Sequence, residues 1–140
     1  MVTRREIREL AMQLLFAWDS NGAADAATTD QMVADSSVPA DGQQEALAMA
    51  KGTWDQREMI DPRIERLAPQ WPPRRQPGVD RNLLRMAVWE LTNQTTPPKV
   101  VIDEAIELSK EYSTEQSAGF INGVLDAIHK ENQALTGGSL

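Results

Sequence analysis

Apolar positions recur along most of this chain with the period of a helix. Ile7, Leu10, Ala11, Leu14, Leu15 and Trp18 fall at i, i+3, i+4, i+7, i+8 and i+11 and predict a helix over residues 3–19. Thr3 with Glu6 three positions on reads as a capping box, and Asn21-Gly22 as the stop. Residues 22–42 are rich in Ala, Asp, Thr, Ser and Gly, and only Met32, Val33 and Val38 can anchor them. They predict a short helix in a mobile connection. Helical spacing resumes from Gln43 with Leu47, Ala50 and Trp54. Asp61-Pro62 then reads as a cap and first position for a short helix carrying Ile64 and Leu67. The segment WPPRRQPG, residues 71–78, predicts a loop between a half of about 1–70 and a half of about 79–131. Beyond it, Leu84, Ala87, Val88 and Leu91 mark a helix over 79–93. Thr95-Thr96-Pro97-Pro98 supplies a capping threonine and first-turn prolines for the next, which carries Val101, Ala105, Leu108 and Tyr112. Ser113 with Gln116 caps a final helix reaching about Lys130, and the tail Leu135 to Gly138 is expected to fray.

One stretch tests this reading. FINGVLD, residues 120–126, holds Asn-Gly between apolar residues, the signal of a tight hairpin. The flanks do not alternate. Ala118, Ile121, Leu125 and Ile128 keep the helical period, so the segment is helical despite a glycine that costs about 1 kcal/mol relative to alanine. Gly119, Gly123 and Ala127 form a second stripe of small residues. That predicts a central helix packed on two sides, with Gly123 serving either helix packing or close approach of a ligand backbone. The expected fold is all-α, with a helical half on either side of the proline loop.

Composition narrows the class. The 140 residues are 41% hydrophobic and contain no cysteine, which removes disulfides and thiolate nucleophiles and fits a reducing cytoplasm. The opening MVTRREIREL is charged where a signal peptide needs an apolar run. No apolar stretch approaches the roughly 20 residues of a membrane span. The expectation is a soluble, intracellular, single-domain protein. Its net charge of −7 is uneven: from Glu9 to Ala50 there are seven acids and no Lys or Arg, so the remainder is balanced. Net acidity argues against an autonomous nucleic-acid binder but leaves room for a local basic patch.

Chemistry is sparse. His129 is the one histidine, near the end of the last helix, where the helix dipole favours it. No nucleophile and base can be assembled around it, and no glycine-rich phosphate loop occurs. The sequence predicts no catalytic residue, metal or cofactor. Asp103, Glu104, Glu107 and Glu111 form an acidic run better suited to water or a partner than to a cation. The first helix says more. On a wheel, Arg4 edges the apolar face, while Arg5, Arg8, Met12 and Phe16 share an adjacent flank. Guanidinium groups beside an exposed ring suit single-stranded RNA, with arginine on phosphates and the ring on a base. Phe120, Tyr112 and the pair Arg81 and Arg85 offer a second such group. Each also reads as core edge or solvated charge.

RREIRELAMQLLFAW, RNLLRMAVWEL and PPKVVIDEAIELSKEYSTEQSAGFINGVLDAI together resemble the NusB family in order and spacing, with residues 20–78 matching only loosely. The resemblance implies an all-helical transcription antitermination factor, a bundle of about six or seven helices in two small packed subdomains. It would bind boxA, a short single-stranded signal in ribosomal RNA leaders, together with the small-subunit ribosomal protein acting as NusE. The assembly would join an antitermination complex on RNA polymerase. By position, Arg4 and Arg5 match the family's arginine motif, Gln13 and Phe16 follow on the same helix, and Arg85, Tyr112 and Phe120 match positions near RNA. Helices 79–94 and 98–112, with Glu90 and the acidic run, would meet NusE. The sequence departs at Glu6, where a third arginine is common, at Gln116 for a frequent aspartate, and at Ala118-Gly119 for a frequent His-Lys pair. Two cations lost beside the RNA predict weak binding alone and a gain with NusE. Some relatives dimerise over the RNA face, so a homodimer stays open. The rivals are the RNA-binding domain of certain ribosomal RNA cytosine methyltransferases, which works beside a separate methyl-donor domain, and a protein-only helical adaptor.

Overall fold

The computed structural model describes residues 3–93 and 96–137, with side chains as far as residue 135. Its regular elements, among the described residues, are seven α-helices and one 3-10 turn. They group into two units, Met1–Asp55 and Gln56–Leu140.

In the first unit, α1 (Arg4–Asn21) packs chiefly on α3 (Ala40–Asp55), with α2 (Ala26–Asp35) between them in sequence. The capping box forms as expected: Glu6 N–H donates to Thr3 Oγ1 at 3.1 Å, and Thr3 N–H donates back to Glu6 Oε1 at 3.3 Å. Gly22 ends the helix at φ +79°, the left-handed conformation that glycine adopts without penalty. Ile7, Leu10, Leu14, Leu15 and Trp18 are sealed, as are Ala46 and Ala50. Trp18 meets Trp54 edge to face, centroids 5.9 Å apart. Its indole N–H donates to Thr29 Oγ1 at 2.7 Å, and that hydroxyl donates to the Asp25 carbonyl at 2.7 Å. A large polar-tipped ring is thus buried with its donor satisfied. Asp25 caps α2, and the hydroxyl and amide of Thr28 hold its carboxyl below the usual value.

In the second unit, α4 (Arg57–Leu67) is followed by a 3-10 turn (Pro73–Arg75), α5 (Gly78–Asn93), α6 (Pro98–Tyr112) and α7 (Glu115–Gly137). α5 touches α4, α6 and α7 and is buried around most of its circumference. α7 also touches α4, α5 and α6, but through one face, so α5 is the more enclosed of the two. Gly119 and Gly123 are exposed, and a methyl group added at either would meet nothing within 4 Å. The expected close-packed stripe is therefore an outer face, because Ala118, Ile121, Val124, Leu125 and Ile128 already bury one side of α7. The division between units also falls earlier than the proline loop. α4 belongs with α5 and α7, to which it is tied by charged hydrogen bonds. Arg63 donates to Glu131 at 3.2 Å and Asn132 at 2.9 Å, and Arg66 to Glu131 at 2.5 Å. Arg66, helped by Arg63, keeps the Glu131 carboxyl below the usual range.

Three local expectations change. Asp61-Pro62 does not start α4; the helix begins five residues upstream of Pro62, which lies inside it, and Asp61 is occupied by Arg85. The cap of α7 is Thr114, not Ser113, since Ser117 N–H donates to Thr114 Oγ1 at 3.0 Å. Pro97 stands at the N-cap of α6 in place of a threonine, and Thr95 lies outside the described residues. α7 itself continues past Lys130 to Gly137, and Gly138 lies outside the described residues. Among the described residues no helix is long and apolar enough to cross a membrane.

Candidate nucleic-acid interface

On α1 the predicted flank is split. Arg8 and Met12 are buried, at 2% and 3% exposure, whereas Phe16 is 43% exposed. The burial of Arg8 corrects its expected surface role. It stands about 20° from Leu15 on the helical wheel, inside the apolar arc once Ala11 and Leu15 are counted. Arg5 remains at the surface beside Glu9, Nε to Oε1 3.4 Å. Arg4 turns to α3 and pairs with Glu45. The Arg4–Glu45 pair is exposed and of the kind worth about 0–1 kcal/mol, so a phosphate can compete for Arg4, while the Arg5–Glu9 pair is half-buried. Gln13 is exposed and borders a shallow depression with Glu6, Glu9 and Ser36. The exposed edge of α1 therefore carries one ring, one amide and Arg5, with Glu9 among them.

In the second unit the two arginines of α5 serve the fold. Arg85 clasps Asp61 with two parallel hydrogen bonds, Nε to Oδ1 2.8 Å and Nη2 to Oδ2 2.7 Å, and its side chain is 8% exposed. Because α5 is enclosed, a cation there needs a charged partner, and the half-buried Asp61 of α4 supplies it. Arg81 donates to the carbonyls of Pro73 and Gln76, each at 3.0 Å, and so fastens the loop before its own helix. Arg85 is thereby corrected from a surface cation to a strut.

Phe120 is half-buried and meets Trp71 edge to face, centroids 4.3 Å apart. Trp71 went unnoticed in the sequence, where the loop WPPRRQPG reads as a connector. The signal was there: a tryptophan among prolines and arginines has little apolar company to bury it. The two rings border a depression of about 370 Å³ with Gln70, Thr114, Gln116 and Ser117. Beneath it Ser117 Oγ donates to the fully buried Asp80 at 2.7 Å, fixing the first turn of α7 against α5. Tyr112, the last residue of α6, is half-buried.

On α6, Val101, Ala105 and Leu108 turn inward. Asp103, Glu107 and Glu111 are exposed, Glu104 is half-buried, and exposed Val100 heads the same stripe. Glu90, expected beside them, is 2% exposed within α5; that corrects its surface role, for the reason that applies to Arg85. Among the described residues no group of three or more His, Asp or Glu could hold a metal ion.

The model of the NusB family matches residues 5–130. This chain belongs to the NusB family. The transcription antitermination protein NusB of Solibacter usitatus is 42% identical over 135 residues, covering 94% of this chain and 91% of that one. The structure of NusB from T. maritima superposes with a TM-score of 0.81 at 35% identity, covering 94% of each chain. A crystal structure of antitermination factors NusB and NusE in complex with dsRNA gives a TM-score of 0.82 at 29% identity, with coverage of 91% and 96%. The NusB matches span both units, including α2, whose sequence resembles the family only loosely.

Proposed function

We propose that the chain is a transcription antitermination factor of the cytoplasm that binds boxA in ribosomal RNA leaders as an unpaired strand. It does so together with the small-subunit ribosomal protein acting as NusE, within an antitermination complex on RNA polymerase. The observation that carries this reading is the ring of Phe16. It is 43% exposed on a helix whose other large apolar side chains are buried, and it shares its flank with Arg5. An exposed ring has use for RNA only where bases are unstacked, since a duplex hides their faces. The complex of a family relative with NusE and dsRNA supports NusE and RNA as partners, while the unpaired strand rests on Phe16. Arg4, Arg5, Gln13, Phe16, Tyr112 and Phe120 are the proposed contacts.

The acidic stripe of α6, with Val100 at its head, is the proposed NusE surface: carboxylates for a basic ribosomal protein and an apolar anchor. The same acidity weakens RNA binding by the chain alone. Few cations are offered to phosphates, and each one lost removes a share of the counterion-release term. NusE supplies the missing cations. Fluorescence anisotropy of labelled single-stranded boxA RNA, with and without NusE, tests this. The expected result is weak binding alone and a large gain with NusE, with a boxA hairpin stem as the weaker ligand. Equal affinities with and without NusE would overturn the partnership, and absence of RNA binding in both would leave a protein-only adaptor.

A further inference from the structure

We infer that the depression between Trp71 and Phe120 takes a single unpaired nucleobase, with Trp71 as its second ring; this rests on the RNA-binding reading above. The rings are held edge to face at 4.3 Å, and each is half-buried, so each keeps surface for a third planar group. Both are fixed from behind. Trp71 N–H donates to the Ala68 carbonyl at 3.0 Å, and the Trp71 carbonyl accepts from Gln76 Nε2 at 3.0 Å. Gln76 is buried, and Arg75 donates to the Gln70 carbonyl at 2.5 Å. Phe120 lies one turn beyond Ser117 on α7, whose start is pinned through Ser117 to Asp80. A platform ordered before binding loses little entropy when a ligand arrives.

The rest of the lining is neutral and polar. Gln70, Thr114 and Gln116 are exposed and bring two side-chain amides and a hydroxyl, and among the described residues no aliphatic side chain or carboxylate borders the space. A protein anchor would look for an apolar pocket. A base asks for ring faces and for donors and acceptors along its edge, which amides provide. The volume, about 370 Å³, lies within the range of small-molecule sites. Arg74 and Arg75 are exposed on the adjoining 3-10 turn, but Arg74 pairs with Glu65 at 3.0 Å and Arg75 holds the Gln70 carbonyl, so the depression offers a base its ring faces and amides rather than a phosphate clamp.

Trp71→Leu keeps apolar bulk and removes the ring, and Trp71→Phe keeps a ring. Each full-length variant, with NusE, is titrated against single-stranded boxA RNA and against the same RNA carrying one abasic nucleotide at each position in turn. Trp71→Leu is expected to weaken binding by between about fivefold and about a hundredfold, and Trp71→Phe much less. At one position the abasic substitution should cost the wild type a similar factor and cost Trp71→Leu almost nothing more. Circular dichroism and thermal midpoints confirm folding, and Gln70→Ala, which leaves both rings in place, should show its loss at that same position. Unchanged RNA affinity of Trp71→Leu, or losses that multiply at every position, would overturn the site while leaving the RNA reading intact. Failure of the wild type to bind the RNA would overturn both.

Discussion

Arg4 and Arg5 on α1 and Arg81 and Arg85 on α5 look alike in the sequence, short arginine pairs at the edge of an apolar face. Their surroundings separate them. Arg4 and Arg5 meet Glu45 and Glu9 at the surface, in contacts that water and salt weaken. Arg85 is sealed against Asp61, and Arg81 holds two carbonyls of its own loop. The first pair is the one proposed for phosphate; the second is built into the fold. An arginine's role follows from what already occupies its donors.

The strongest way to break this contrast is Arg85→Ala. It leaves Asp61 without its bidentate partner beside a buried helix, at a cost of about 2–3 kcal/mol. Asp61 retains 27% of its side-chain exposure, which keeps the effect below that of a fully sealed pair. Urea unfolding should show a markedly lower midpoint. RNA affinity, measured in the cold where the variant is folded, should stay close to wild type. An unchanged midpoint with a collapse in affinity would return Arg85 to the RNA face.

The helices themselves were legible because an amphipathic stripe is a local property: Ile7 through Trp18, or Val101 through Leu108, state their inward face in their spacing. Capping was partly legible for the same reason, correctly at Thr3 and one residue off at Thr114. What the spacing could not state was how much of each circumference neighbours would cover. α5 is buried around most of its circumference, so Arg85 and Glu90 went inside although they border an apolar stripe. α7 needs only one face, so Gly119 and Gly123 stayed outside. Trp71 escaped notice because its ring partner Phe120 is distant in sequence, and no local pattern announces such a pair.

Phe16→Ala is the converse of Arg85→Ala. With 43% of its surface already in water and alanine the better helix former, the ring contributes modestly to folding, and stability should fall by no more than about 1 kcal/mol, less than for Arg85→Ala. RNA binding should fall by about 1–3 kcal/mol, the worth of one stacked base. Together the two variants make a crossed pair: one alters the melting curve and spares the titration, the other does the reverse. If Phe16→Ala melts early and binds RNA normally, the ring belongs to the fold and α1 loses its claim to a base.

The smallest effect comes at Glu6, where capping and charge pull in opposite directions. Its carboxylate accepts from Thr3 N–H and completes the capping box, and it complements the positive end of the α1 dipole. It also places a negative charge close to Arg5 and Gln13, on the edge where RNA is proposed to lie. Glu6→Arg should lower stability by about 0.5–1 kcal/mol through the lost cap and the misplaced charge. It should steepen the fall of RNA affinity with salt by about 0.7 in the log–log slope, the signature of one more phosphate contact on a single strand. Glu6→Gln separates the two influences. Its amide can still close the cap, so the melting midpoint should hold, while removal of the negative charge strengthens RNA binding without adding a phosphate contact. A slope for Glu6→Arg equal to that of wild type would mean that no phosphate passes the first turn of α1, and the strand would have to be sought elsewhere on this unit.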